Sequence, residues 1–426
     1  MNKRTKDPII IGLALFAIFF GAGNLIFPPA LGLKAGLNFK FTLGGFLLTG
    51  VGMPLFGIMA VAKAGGSLEK LCCKINHSFG KVIGTIIIIA IGPLLAIPRT
   101  GATTFEMGIK PLLPNSNPII ISVIFFLLTL LFSIKPSKVI DNVGKILTPI
   151  LLLVLAIIIF KGIKFPIGQP ISTNITNSFS YGFLGGYQTM DAIGSIVMAG
   201  LVLNTIIDKG YKDIKDQISV ALKSSLVAGL GLGLVYGGLL YLGATGSSVF
   251  NGDIEKTLLL ISITKNILGS FGTIALAICV TLACLTTSVG LTATVGNYFN
   301  DLSKGKVSYK VIVITTTIFS GILANIGVEN IIKISVPILG VLYPVVIVLI
   351  IMNLFDDLII NKKAYIGAVY GALIISFLNV LKDIRVRIYI VEKFINLLPF
   401  SAQGFSWLVP SIVGGLIFGF FVKNKK

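Results

Sequence analysis

The sequence predicts an all-α integral membrane protein of about twelve transmembrane helices. Composition comes first: 55% of the 426 residues are apolar and only 12% are charged, against about 25% charged in ordinary soluble domains, and the mean hydropathy is +0.97. Long windows nearly free of charge recur along the chain, most of them long enough to cross a bilayer core as a helix. The net charge of +19 would suggest nucleic acid in a soluble protein, but here the positive residues fall between apolar windows, as in loops beside anionic lipid. A soluble enzyme and a nucleic-acid partner are thereby excluded.

Taken in order, the windows are 9–33, 41–62, 82–104, 117–134, 146–160, 179–203, 219–243, 271–299, 311–325, 331–355, 364–381 and 405–422. The first follows a basic end (Lys3, Arg4, Lys6) and lacks a small-residue cleavage pattern, so it reads as a retained span and not a signal peptide. The N-terminus, the even-numbered loops and the C-terminus carry about twice as many Lys and Arg as the other side, which predicts both termini in the cytoplasm. Lys382, Arg385, Arg387 and Lys393 break this rule; an interfacial amphipathic segment, or misplaced boundaries of the last two windows, accounts for them.

Two windows look interrupted. The first carries Gly21, Ala22, Gly23 and Asn24, and the sixth carries Gly182, Gly185 and Gly186 before Tyr187 and Gln188. Each is the first helix of a five-helix set, 9–160 and 179–355, with 364–422 holding two more helices; an odd number per set orients the halves oppositely, giving an inverted repeat with paired broken helices. An isolated glycine pair more often serves close helix packing, and the matching positions tip the balance.

A helix broken at membrane depth leaves carbonyls and amides that hydrocarbon cannot satisfy. The carbonyls from Ala17 to Phe20 suit a cation, and the amides of Ala22, Gly23 and Asn24, at a positive helix end, suit a carboxylate. Pro28 and Pro29 fit an early turn of the restarted half-helix. The eighth window holds Thr281, Thr286, Thr287 and Ser288, hydroxyls able to ligate a small hard cation or simply to bond back onto their own helix. Arg99, Glu106 and Asp191 are costly charges in or beside apolar windows and imply a partner or pathway; Arg99 with Asp191, and Arg99 with Glu106, are candidate pairs. Cys72, Cys73, Cys279 and Cys284 form no CxxC pair and the single His77 falls in a loop, so neither a disulfide framework nor a zinc site is expected.

Four ordered segments carry a family resemblance: GLALFAIFFGAGNLIFPPALGLKAG (12–36), IGPLLAIPRTGATTFEMGI (91–109), GFLGGYQTMDAIGS (182–195) and LACLTTSVGL (282–291). Together they resemble the bacterial branched-chain amino acid carriers, the BrnQ-type or LIVCS symporters, within the wider LeuT-like group. That resemblance implies a five-plus-five inverted repeat with discontinuous helices one and six, sodium-coupled uptake of Leu, Ile and Val, the bacterial cell membrane as location, and no cofactor besides the coupling ion. It assigns Na+ to the carbonyls of Ala17, Phe20 and Ala283 with the hydroxyls of Thr286 and Thr287. It assigns the substrate carboxylate to Ala22, Gly23 and Asn24, and amine-binding carbonyls with an aliphatic pocket to Phe183, Gly185, Gly186 and Tyr187. Proton coupling through Asp191, cargo of another small apolar amino acid, and a channel are the competing expectations; the oligomeric state stays open.

Overall fold

The computed structural model describes residues 3–134, 138–383 and 389–421, and among these all regular structure is helical. The first window is two helices, α1 (Lys3–Phe19) and α2 (Ala22–Ala35). Next come α3 (Phe39–Leu47) and α4 (Met53–Lys63), joined through a wide π-helical turn at Leu48–Gly52, and the short α5 (Leu68–Cys72). The third window is α6 (His77–Ile89) and α7 (Ala96–Thr103), with a second wide turn at Ala90–Leu94. Gly92 is non-helical there (φ −88°, ψ −112°) beside Pro93, whose carbonyl accepts a bond from Ser320 Oγ at 3.3 Å. This kink is a proline and wide-turn kink of the ordinary kind.

The remaining helices are α8 (Pro118–Ile134), α9 (Lys138–Lys164), α10 (Ser178–Gly186), α11 (Asp191–Asp208), α12 (Ile214–Thr245), α13 (Lys256–Leu302), α14 (Tyr309–Ala324), α15 (Val328–Leu354), α16 (Ala364–Asp383), α17 (Tyr389–Leu397) and α18 (Leu408–Phe421). Every apolar window therefore contains a helix, and seven helical stretches among the described residues are long and apolar enough to span a membrane, with three shorter apolar ones beside them. Helix α13 extends well before the eighth window because it bends at Gly269, whose φ of +67° only glycine adopts without strain. Of the exceptions to the charge rule, Lys382 falls in α16 and Lys393 in α17, a nine-residue helix with Ile395 buried and Tyr389 and Phe394 exposed; Arg385 and Arg387 lie outside the described residues.

Large apolar side chains such as Leu131, Leu234 and Phe271 point outward, as lipid-facing residues do, while the interior is drawn tight by small ones. A β-carbon on Gly32 would sit 1.9 Å from the carbonyl of Leu240, and one on Gly243 would sit 1.9 Å from that of Pro29, so α2 and α12 touch backbone to backbone. Gly182 meets the Thr42 carbonyl in the same way and Gly186 meets Thr49 Oγ1. Gly182 and Gly186 of the sixth window are thus packing residues between α10 and the second window, and the break expected among them lies further on.

Candidate functional site

The first break is where the glycines place it. Phe20 and Gly21 leave the helix, and each bond that would cross the gap is redirected: Gly21 N donates to Asn24 Oδ1 (3.3 Å) and Asn24 N to the Gly21 carbonyl (3.2 Å). Among the described residues, the carbonyls of Ala17 and Phe20 and the amides of Ala22 and Gly23 take no backbone bond across the break. The restart falls at Ala22, so Pro28 and Pro29 sit in the middle of α2 and not in its first turn. There they delete the bonds to the carbonyls of Asn24 and Leu25.

The sixth-helix break is one turn later than the glycine pattern implied. A tight turn at Tyr187–Thr189 runs into Met190, which holds φ 61° and ψ 10°, and α11 begins at Asp191. A left-handed non-glycine residue costs on the order of 1 to 3 kcal/mol and persists only where its surroundings enforce it. Thr189 Oγ1 bonds the Gly186 carbonyl (2.9 Å) and accepts from Asp191 N (3.3 Å), bracing the bend from both sides.

A cavity lies where the two breaks meet. Its wall includes Gly21, Ala22, Gly23 and Asn24 from the first break and Thr189, Met190 and Asp191 from the second. Arg99 and Thr100 of α7 and Thr287 of α13 complete its polar lining, and Ile18, Ile91, Met198 and Leu291 give it apolar surface. Phe183, Gly185, Gly186 and Tyr187, expected to line the pocket, stand outside it. Tyr187 stacks on Tyr343 with ring centroids 4.2 Å apart, Phe183 packs edge-on against Phe405, Gly185 abuts Leu31 and Gly186 abuts Thr49. The physical reason is the later break, which hands the pocket wall to Met190 and its neighbours.

The intramembrane charges also separate. Asp191 Oδ2 accepts from Asn24 Nδ2 at 2.6 Å and from the Tyr236 hydroxyl at 3.1 Å, and Asn24 Nδ2 also reaches Tyr236. Arg99 forms no ion pair with Asp191 or Glu106; its Nη1 donates to the Gln188 carbonyl at 2.9 Å and its guanidinium lies over Phe27, 5.5 Å from the ring centroid. Glu106 is bound elsewhere, accepting from Thr257 Oγ1 (2.7 Å) and Val328 N (2.9 Å), beside a second cavity lined by Ser122 and Asn325. Neither candidate pair for Arg99 closes as a salt bridge, although Asp191 shares its cavity wall and acts on it electrostatically.

Of the proposed cation ligands, Ala283 is buried and its carbonyl accepts a back-bond from Thr286 Oγ1 at 2.9 Å. The Thr287 hydroxyl makes no hydrogen bond among the described residues and lies 3.6 Å from where a β-carbon on Gly21 would be. Phe20 is buried and stacks on Phe16 and, more distantly, on Tyr236; Ala17 is half-buried. Sequence reasoning missed Tyr236, Gln188 and Met190. It also missed that Glu69, Cys73 and His77 bring three ligand atoms within 4.8 Å of one another at the turn into α6, far along the sequence from the break residues.

Broken helices meeting at a cavity inside an all-helical bundle are an arrangement that occurs in transporters. Solved structures share it. The overall fold matches MhsT in complex with L-phenylalanine (TM-score 0.60, 17% identity, 94% of this chain and 98% of that one) and Mhp1 in a closed conformation with bromovinylhydantoin bound (TM-score 0.61, 12% identity, 96% and 91%). The sequence model of the family described as branched-chain amino acid transport protein matches residues 4–426, and the chain belongs to that family. Relatives include the branched-chain amino acid permease BraB of Bacillus subtilis, 41% identical over 97% of this chain and 94% of its own length. The branched-chain amino acid transport system 2 carrier protein of Pseudomonas aeruginosa is 36% identical over 95% and 93%.

Proposed function

We propose that the protein is a symporter that imports Leu, Ile and Val down a sodium gradient by alternating access, through the bacterial cell membrane with both termini in the cytoplasm. The observation that carries the reading is the first break: two amides, Ala22 and Gly23, unbonded among the described residues, at the positive end of α2 and in the wall of the cavity. A substrate carboxylate satisfies such donors. The aliphatic side chain goes against the apolar side of the cavity, and residues 9–160 and 179–355 rock against each other around it.

Sodium goes between the first and eighth helices, on the carbonyls of Ala17, Phe20 and Ala283 with the hydroxyls of Thr286 and Thr287. A hard cation favours such an all-oxygen set, and the position of Thr287 against Gly21 supports it. The names of the relatives support the cargo. Purified protein in liposomes tests both parts: labelled leucine should accumulate by counterflow, and an inward sodium gradient should drive uptake that a matched potassium gradient does not. Uptake that follows a proton gradient alone would replace sodium as the coupling ion, and no leucine exchange at all would end the reading.

A further inference from the structure

Arg99 is 3% exposed at the centre of the bundle. Its guanidinium has five N–H donors, yet among the described residues it makes one hydrogen bond, to the Gln188 carbonyl, and no salt bridge; Asp191 acts on it only across the shared cavity. Asp191 accepts its hydrogen bonds from Asn24 and Tyr236 and none from the guanidinium, so the unused donors of Arg99 suit an anion that arrives with the cargo. The neighbouring backbone points the same way. A β-carbon on Gly23 would lie 2.7 Å from Arg99 Nη2, which means that glycine is what lets the guanidinium come up against the first amides of α2. Arg99, Ala22 and Gly23 share one cavity wall.

We infer that Arg99 binds the substrate carboxylate, together with the Ala22 and Gly23 amides, and so makes the site selective for free α-amino acids over their uncharged carboxyl derivatives. This rests on the transport reading above. The fork of donors suits a carboxylate geometrically as well as electrostatically. The bond to the Gln188 carbonyl ties this selection to the sixth-helix break, because Gln188 lies in the turn that precedes Met190. Gln188 is itself held from the far side, with Ser335 Oγ donating to its Oε1 at 2.7 Å. Arg99 is therefore oriented by the backbone of a residue whose side chain is anchored to α15, while its other donors stay available to the ligand.

The alternative is that Arg99 only pins the bend through Gln188, and the two roles separate in their response to ligand charge. Binding of labelled leucine to the purified protein is competed with leucine or with leucinamide, which keeps the side chain and the protonated amine but lacks the carboxylate. In the wild type leucine should win clearly. In Arg99→Gln the affinity for leucine should fall by about 10- to 150-fold, the loss of one charge-assisted contact, while that for leucinamide barely moves, so the preference collapses. Equal losses for both ligands, or no loss for either, would overturn the assignment and leave a structural pin. If Arg99→Gln does not purify as a folded protein, Arg99→Lys carries the same test. It keeps the charge and loses the fork, and should retain a reduced preference for leucine; an unchanged preference overturns the proposal. A wild type that binds neither ligand overturns the transport reading along with it.

Discussion

Asn24 Nδ2 stands 2.6 Å from Asp191 Oδ2, one residue at the start of each half-helix that follows a break. The same asparagine uses its Oδ1 to hold Gly21 N, so a single side chain caps its own half-helix and ties it to the other. Tyr236 of α12 hydrogen-bonds to both. Each donor here has an acceptor, and the carboxylate retains lone pairs beyond the two bonds on Oδ2. The breaks are thus coupled mechanically before any ligand arrives.

Asp191→Asn removes the charged acceptor and leaves an amide facing the Asn24 amide. Turnover of leucine should drop by about tenfold or more, the loss of a charge-assisted bond, while uptake remains driven by sodium. Tyr236→Phe, which deletes one of the two bonds, should give a smaller drop. Initial rates in liposomes under imposed sodium and proton gradients check this. A wild-type proton flux that vanishes in Asp191→Asn would make the carboxylate the coupling group instead.

The two eighth-helix threonines should differ in how they respond to replacement. Thr286 already spends its proton on the Ala283 carbonyl, while Thr287 has no hydrogen-bond partner among the described residues and lies against the first break. Thr287→Ala should raise the sodium needed for half-maximal leucine uptake by about 10- to 150-fold, Thr286→Ala should raise it too, and Thr286→Ser should largely spare it. Sodium titrations at saturating leucine decide. If both alanine variants keep the wild-type requirement, the hydroxyls are ordinary helix back-bonds.

The first break was legible because Gly21 and Gly23 weaken the helix at a point where a membrane span would otherwise run on, and a matching interruption stands in the sixth window. The sixth was displaced because its strained residue is Met190, whose side chain gives no hint of a left-handed backbone, whereas the conspicuous Gly182 and Gly186 serve close packing. Arg99 and Asp191 stood out as intramembrane charges, but their partners did not. Gln188 contributes a backbone carbonyl, which every residue has, and Tyr236 sits in an apolar run where a lone tyrosine reads as core. Long-range partners of this kind are fixed by tertiary packing and leave no local pattern.

Gly21 and Gly23 should separate cleanly under substitution. Gly21 is extended (φ −118°, ψ −169°), and a β-carbon there meets Thr287 at an ordinary 3.6 Å, so Gly21→Ala should transport nearly normally. At Gly23 the added carbon would press on Arg99 Nη2 at 2.7 Å and on the Gln188 carbonyl at 3.3 Å. Gly23→Ala should therefore lose most leucine uptake and Gly23→Leu all of it, with expression intact. Uptake assays normalised to membrane expression are the measurement; normal transport by Gly23→Leu would remove the first break from the binding site.

The turn between α5 and α6 offers a test of orientation. Cys72 is fully buried and Cys73 partly exposed, so an impermeant maleimide should label Cys73 and not Cys72. With the termini in the cytoplasm this turn is cytoplasmic, and labelling should appear only after the membrane is opened; labelling in intact cells would invert the topology. Burial pushes the Cys73 thiol above its ordinary value, the Glu69 carboxylate adds to that, and Lys81 partly offsets it. The thiolate is the reactive form, so a raised value means slow labelling at neutral pH and a rate that climbs as the medium becomes alkaline. Glu69→Gln removes the acidic contribution and should speed labelling at neutral pH, whereas Lys81→Gln should slow it. Mass spectrometry of the modified peptide over a pH series reads both, and a rate that is flat with pH would show that access to Cys73, and not its ionisation, controls the reaction.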